Sequence, residues 1–289
     1  MRKGFHASQW FRTMVSSVDT LFPSLTDVDV DAAAAGGWRI DLPSAYCHRC
    51  GATTGPGEAT KTGCSHCRVK PAKPSPLGDP VKAVRQVKRI RWDHLLRLCA
   101  YREPVSSWIV QMKHGRRWRW ASWFGKELAQ VIRHAERATR DAQEEISPQL
   151  DAQLSLLPSA CVAPRKQAVC YVPMPWSRRW KRGFNQARLI ANVVAKELEL
   201  PLARILVRKG WQHPQTNVVP SEREANVRDA FVIEQVDLTG WDIWLIDDVK
   251  TSGATLNACC RLLKQAGAQT IRCAVVAVAD PKKADFKVV

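Results

Sequence analysis

Two periods of apolar residues alternate along the second half of the chain, and together they predict repeated strand–loop–helix units. Ala168 to Val172 and Ile243 to Ile246 are short runs apolar on both faces, as strands covered on both sides are. Helical spacing follows each run. Ala187, Ile190, Ala191, Val194 and Leu198 mark the first helix, and Leu256, Cys259, Cys260 and Leu263 the second, with Gly267 as its stop. Thr270 to Ala279 alternates and then runs apolar, which predicts a further strand. The expected fold is therefore α/β, a parallel sheet flanked by helices, with the loops of two βα units along one sheet edge.

Elsewhere the pattern is weaker. Phe11, Met14, Val15, Val18, Leu21 and Phe22 have helical spacing closed by Pro23 and predict a helix that docks on its own domain. Residues 24–45 are acidic, then rich in Ala and Gly, and read as a linker. Residues 68–80 carry Pro71, Pro74, Pro76 and Pro80 with Lys between them, a stiff basic linker that marks a domain boundary. Residues 81–100 are basic and mildly amphipathic. A helical pattern from Val105 to Ile132 breaks near Lys113–Trp120 and restarts at about Ser122, and residues 133–167 read as a helix end and a surface loop. Lys282, Lys283 and Lys287 fall in a C-terminal stretch expected to fray. The expected organisation is an N-terminal helix and linker (1–45), a Cys-rich module with its Pro/Lys linker (46–80), and an α/β domain (81–289).

Composition adds a partner class and a compartment. The chain has 289 residues, 45% of them hydrophobic, which is enough for a sizeable core. Its net charge of +17, from 44 Lys+Arg against 27 Asp+Glu, favours polyanions without choosing among nucleic acid, nucleotides and anionic membrane. No apolar run approaches the roughly 20 residues of a membrane span, and Arg2, Lys3 and Arg12 precede no uninterrupted apolar stretch, so a cytoplasmic protein is expected. Of ten cysteines, Cys99, Cys161, Cys170, Cys259, Cys260 and Cys273 are scattered and read as small core residues of a reducing compartment.

The other four form two close pairs, Cys47-His48-Arg49-Cys50 and Cys64-Ser65-His66-Cys67, thirteen residues apart. Two such knuckles deliver four thiolates to the corners of a tetrahedron, the preference of structural zinc. A redox pair or plain thiols are the alternatives, and His48 and His66 stand close enough to compete as ligands. A closed four-Cys site keeps no open position for catalysis.

Two loops carry the remaining chemistry. After Trp241-Asp242-Ile243-Trp244-Leu245-Ile246 come Asp247 and Asp248, then Val249-Lys250-Thr251-Ser252-Gly253-Ala254-Thr255. Loop N–H groups, a helix N-terminus and the hydroxyls of Thr251, Ser252 and Thr255 suit a phosphate. The carboxylates cannot face that phosphate, but they suit ribose hydroxyls or a metal at one remove. After Pro173-Met174-Pro175, Arg178, Arg179, Lys181 and Arg182 place four cations in five positions, expected as a loop facing the acids across a cleft. A diphosphate needs such neutralisation; a solvated cationic loop is the alternative. Lys113 to Trp120 interleaves cations with indoles and suits either nucleic acid or inward packing of each Trp.

Asp-Asp-Val-Lys-Thr-Ser-Gly-Ala-Thr after an apolar strand resembles the phosphoribosyl-diphosphate (PRPP) motif of type I phosphoribosyltransferases. With Val-Pro-Met-Pro, Arg-Arg-x-x-Arg-Gly-Phe-Asn-Gln-Ala, His213-Pro214-Gln215-Thr216 and Glu222 to Phe231, residues 81–279 resemble the ComF family, linked to competence and DNA uptake, and the Cys pairs fit as well. The resemblance implies ribose binding by Asp247 and Asp248, and a 5′-phosphate loop of Lys250, Thr251, Ser252, Gly253, Ala254 and Thr255. It also implies a pyrophosphate side at Pro173–Arg182, with Arg178, Arg179 and Arg182 as ligands, and a mobile hood over residues 213–229. Mg²⁺ with PRPP, structural Zn²⁺, single-stranded DNA and a DNA-uptake helicase are the cofactors and partners it implies. A catalytically silent DNA-binding or adaptor protein is the alternative to a working transferase.

Overall fold

A computed structural model describes residues 25–41, 46–54, 64, 90–114, 117–154, 165–209 and 230–279. The helix expected over Phe11–Phe22, the Pro/Lys linker, Cys67, Cys161, the hood and the C-terminal lysines lie outside the described residues. The chain divides into two units, Met1–Ile40 and Asp41–Val289. In the first, the expected linker contains a helix, α1 (Leu25–Ala35). Its alanines are strong helix formers.

In the second unit five strands form a parallel sheet in the order β1-β7-β6-β2-β3. These are β1 (His94–Ala100), β2 (Lys166–Tyr171), β3 (Leu202–Ala203), β6 (Trp241–Lys250) and β7 (Thr270–Val278). The run Ile243–Ile246 is central, as its two-faced apolar pattern requires. The edge strand β1 was hidden within a segment read as basic and amphipathic. Leu95 to Ala100 are all buried, and Arg97 among them is only 1% exposed because Asp41 pairs with it at 2.8 Å. A small antiparallel ribbon, β4 (Leu206–Arg208) with β5 (Phe231–Ile233), completes the strands.

Helices cover both faces. After β1 come α2 (Val105–His114) and α3 (Arg119–Leu154). The second corrects both the restart expected at Ser122 and the loop expected after residue 133. Its Ala, Arg, Glu and Gln content sustains helix well past Ile132, where the expected pattern ended. After β2 come α4 (Trp176–Arg182) and α5 (Gln186–Glu197), and α6 (Ala254–Gln265) joins β6 to β7. Leu256, Cys259, Cys260 and Leu263 of α6 pack with Ile243, Leu245, Ile271, Cys273 and Val275 of the sheet. Full burial of each leucine contributes about 1.5–3 kcal/mol. Trp244 points to the other face, where its Nε1 donates to Glu136 of α3 at 3.3 Å.

The topology opens a crevice. From β2 the chain runs through α4 and α5 to β3 on one side; from β6 it runs through α6 to β7 on the other. Adjacent strands whose connections depart in opposite directions leave a gap at their carboxyl ends, where ligands of such sheets bind. The register shows it. The last β2 pair is Tyr171 with Ile246, whereas β6 continues beside β7 as far as Lys250 opposite Val278. Asp247 and Asp248 therefore stand past the end of β2.

Candidate ligand-binding site and metal centre

Alternation along β6 sends the two carboxylates to opposite faces. Asp247 continues the row of Ile243 and Leu245 toward α6, and Asp248 continues the row of Trp244 and Ile246. Both are half-buried. Asp247 accepts the Asp248 backbone N–H at 2.9 Å, and Asp248 accepts that of Val249 at 2.7 Å. Asp248 also meets the Lys113 ammonium at 2.8 Å, delivered by the last turn of α2. Burial first, and then the Asp248 charge, push the Asp247 carboxyl well above the usual range, with Lys113 opposing. Lys113, which sequence reasoning placed only among the interleaved cations and indoles, is thus part of the site.

Beyond the acids the chain turns through Thr251, Ser252 and Gly253 into α6. Thr251 and Ser252 are exposed, and Ala254 and Thr255 are half-buried on the first turn. Gly253 caps the helix at φ 79°, and no side chain caps that end. First-turn N–H groups without a capping side chain are what an anion recognises. Ser252 Oγ accepts the Ala254 N–H weakly, at 3.4 Å. Lys250 is buried, and its ammonium lies 3.4 Å from the Thr251 carbonyl, so it braces the loop from beneath.

On the β2 side the expected cationic loop is instead the short helix α4. Pro175 precedes its first turn and Gly183 ends it in the left-handed conformation. The next residues fix it to the sheet: Asn185 caps α5 by accepting the Arg188 N–H at 3.4 Å, and its Nδ2 donates to Val172 O at 3.1 Å. Arg178 and Arg179 are exposed and Arg182 is half-buried. Burial and the nearby Arg178 charge lower the Arg208 pKa. Arg208, whose guanidinium stacks on Phe231 at 5.0 Å, is a second residue the sequence reading passed over, because it sits on a three-residue strand with no motif around it. Trp176 and Trp180 of α4 are 67% and 79% exposed. The Lys113–Trp120 stretch divides between its two readings. Trp120 is core, stacked on Trp108 at 4.6 Å, while Trp118 stays on the surface.

Cys47, Cys50 and Cys64 converge, with their sulfur atoms all within 4.8 Å of one another and all three residues buried. Three soft donors at that spacing fit a thiolate-bound ion such as zinc and leave one corner for a fourth ligand. The turn that gathers them is tight: Gly51, at φ 76°, donates to Cys47 O at 2.7 Å, and a Cβ there would lie 2.8 Å from Leu95. The knuckle is fastened to β1. Leu95 N donates to His48 O at 2.8 Å, and Arg97 donates to Gly51 O and Thr53 Oγ1. The scattered cysteines Cys99, Cys170, Cys259, Cys260 and Cys273 are buried, as expected. Burial pushes the Cys170 thiol up to about 12 and raises Cys259 and Cys273 too, so they are inert core thiols.

Comparison with known proteins agrees with this geometry. A phosphoribosyl transferase domain matches residues 185–288, which contain β6, its acidic end and the loop into α6. Fold and match define a phosphoribosyltransferase-like protein. Competence protein F of Haemophilus influenzae is 28% identical over 63% of this chain and 71% of its own length. DNA utilization protein YhgH of Escherichia coli O6:H1 is 27% identical over 81% of this chain and 93% of its own. Competence protein ComFC of Bacillus subtilis is 36% identical over 33% and 38% respectively. These relatives and the matched domain support a ComF-family, phosphoribosyltransferase-like protein.

Proposed function

We propose that this protein binds PRPP, or a simpler ribose phosphate, together with Mg²⁺ in the crevice between β2 and β6, and serves DNA uptake. The observation that carries the reading is the crevice itself. Past the end of β2, two half-buried carboxylates stand beside an uncapped helix N-terminus on one strand, with a cationic helix following the other. Asp247 and Asp248 hold the ribose hydroxyls. Thr251, Ser252, Gly253, Ala254 and Thr255 receive the 5′-phosphate, and Lys250 holds their loop in shape. Arg178, Arg179 and Arg182 take the diphosphate, with Arg208 adding positive charge beside Arg178. The oxygen donors of the acidic pair suit a Mg²⁺ that retains several waters. When bound, that ion neutralises diphosphate charge. In transfer, a nucleophile attacks the anomeric carbon and pyrophosphate leaves with the bonding pair. The protein's part is then to place the ribose and to stabilise charge on the departing group.

The DNA role rests on the names of the relatives and on the charge of +17. Cys47, Cys50 and Cys64, with Cys67 as the fourth ligand by its spacing, hold a structural zinc ion within a module at 46–80, beside the ligand-binding domain at 81–289. Calorimetric titration of PRPP with Mg²⁺ tests the main reading. Heat of binding is expected in the wild type and none in a folded Asp247→Asn, Asp248→Asn variant. A folded, zinc-loaded wild type that binds no PRPP overturns it.

A second reading has its own observation. Trp176 and Trp180 lie 6.3 Å apart on the outer side of α4, and the Arg179 guanidinium sits 5.9 Å from the Trp176 ring. Exposed indoles among cations are the chemistry of unpaired bases and their phosphates. In this reading α4 is a single-strand platform and the protein a silent adaptor, working with a helicase of the uptake machinery.

A further inference from the structure

One side chain touches both the metal knuckle and the phosphate loop. Trp92 lies just before β1 and is buried. Its indole Nε1 donates at 2.8 Å to the carbonyl of Arg49, between Cys47 and Cys50. The far edge of the same ring presses on the loop: a Cβ placed on Gly253 would meet Trp92 Cη2 at 3.0 Å and Cζ3 at 3.8 Å. The neighbouring residue repeats the connection, since Arg91 N donates to Asn257 Oδ1 at 3.0 Å, and Asn257 N in turn donates to Gly253 O. The knuckle is thus in contact, through one rigid ring, with the turn that receives the phosphate.

We propose that Trp92 is a positioning residue that couples occupancy of the thiolate metal site to the shape of the 251–257 phosphate loop. The Arg49 carbonyl can hold the indole only while the Cys47–Cys50 turn is closed, and the ion is what closes it. With the turn open, the indole loses its hydrogen bond to the Arg49 carbonyl, and Gly253 loses the surface that fixes its left-handed turn. A small module of this kind draws much of its folding energy from its metal, so loss of the ion reaches the loop through Trp92. Coupling of this sort is reciprocal: whatever metal does for ligand affinity, ligand does for metal affinity. The inference rests on the phosphate-loop and zinc readings above.

Two measurements on the full chain decide it. The zinc-loaded protein is mixed with a zinc-selective chelator, with and without saturating ribose 5-phosphate, and zinc release is timed. Ribose 5-phosphate is expected to slow release about fivefold or more, the low end of usual coupling between sites. Trp92→Phe keeps a ring but has no N–H for Arg49; it is expected to hold one zinc and lose the slowing. Equal release in the wild type, with ligand binding shown by calorimetry, overturns the coupling. The second measurement needs no ligand. Hydrogen exchange at Thr251–Asn257 is compared in zinc-loaded and zinc-stripped wild type, with α5 as the internal reference. Exchange about fivefold faster in the loop alone supports the coupling; no change, or equal acceleration in α5, overturns it, as does protein that purifies without zinc. Absence of ribose 5-phosphate binding sinks the phosphate-loop reading, while the exchange result still decides the role of Trp92.

Discussion

Asp247→Asn is expected to make the free protein more stable while removing its ligand. The carboxyl lies at the edge of the core, and burial together with the neighbouring Asp248 raises its pKa. A raised carboxyl contributes stability while it is protonated, below its unfolded value, and that contribution is lost as pH rises through the folded value. At neutral pH the charged form therefore costs the fold. Neighbouring like charges repel by an amount on the order of a few kcal/mol at an effective dielectric of about 20. Lys113, 2.8 Å from Asp248, cancels part of this. A net gain of about 1–2 kcal/mol for Asp247→Asn remains, within the range of stabilising changes at functional sites. The amide oxygen can still accept the Asp248 N–H now held at 2.9 Å. Urea unfolding at pH 7.5 and at lower pH reads the effect, and the gain is expected to shrink as pH falls. Loss of stability at pH 7.5, or a gain indifferent to pH, would refute the argument. Asp248→Asn is the internal control: it relieves the same repulsion but gives up the Lys113 pair, so it is expected to gain less stability than Asp247→Asn, or none.

Two further outcomes follow from the same geometry. Gly253→Ala meets both a φ of 79° and the Trp92 ring at 3.0 Å; it is expected to cost about 1–3 kcal/mol in urea unfolding and to weaken ribose 5-phosphate binding by calorimetry. Replacing Trp176 and Trp180 together by Ala should leave stability within about 0.5 kcal/mol, since both are exposed. On the platform reading it lowers oligo-dT affinity at least tenfold by fluorescence anisotropy; unchanged affinity removes that reading.

The parts of the fold legible in the sequence were those whose local pattern and tertiary role agree. Ile243–Ile246, apolar on both faces, is the middle of the sheet, and the Leu256–Leu263 spacing is the buried side of α6. The acidic end, the hydroxyl loop and the Cys spacing were visible for the same reason, as contiguous chemistry. What escaped depends on distant partners. The strand β1 carries a buried Arg97, which reads as a surface residue until Asp41, Gly51 and Thr53 are seen around it. Lys113 reaches the acidic pair from α2, and Arg208 on β4 feels the Arg178 charge, yet nothing near them in sequence marks either as a site residue. The helices α1 and α4 were missed because short Ala-rich or cationic stretches carry little periodicity to read.

The central claim is that the ends of β2 and β6 hold one ligand between them. It is tested by titrating PRPP with Mg²⁺ and, separately, ribose 5-phosphate into wild type and an Arg178→Ala, Arg179→Ala, Arg182→Ala variant. With α4 on the diphosphate and the 251–255 loop on the 5′-phosphate, PRPP affinity is expected to fall toward that of ribose 5-phosphate, and ribose 5-phosphate affinity to stay unchanged. If PRPP affinity is unaffected, or both ligands weaken equally, the two sides do not share a ligand in this way.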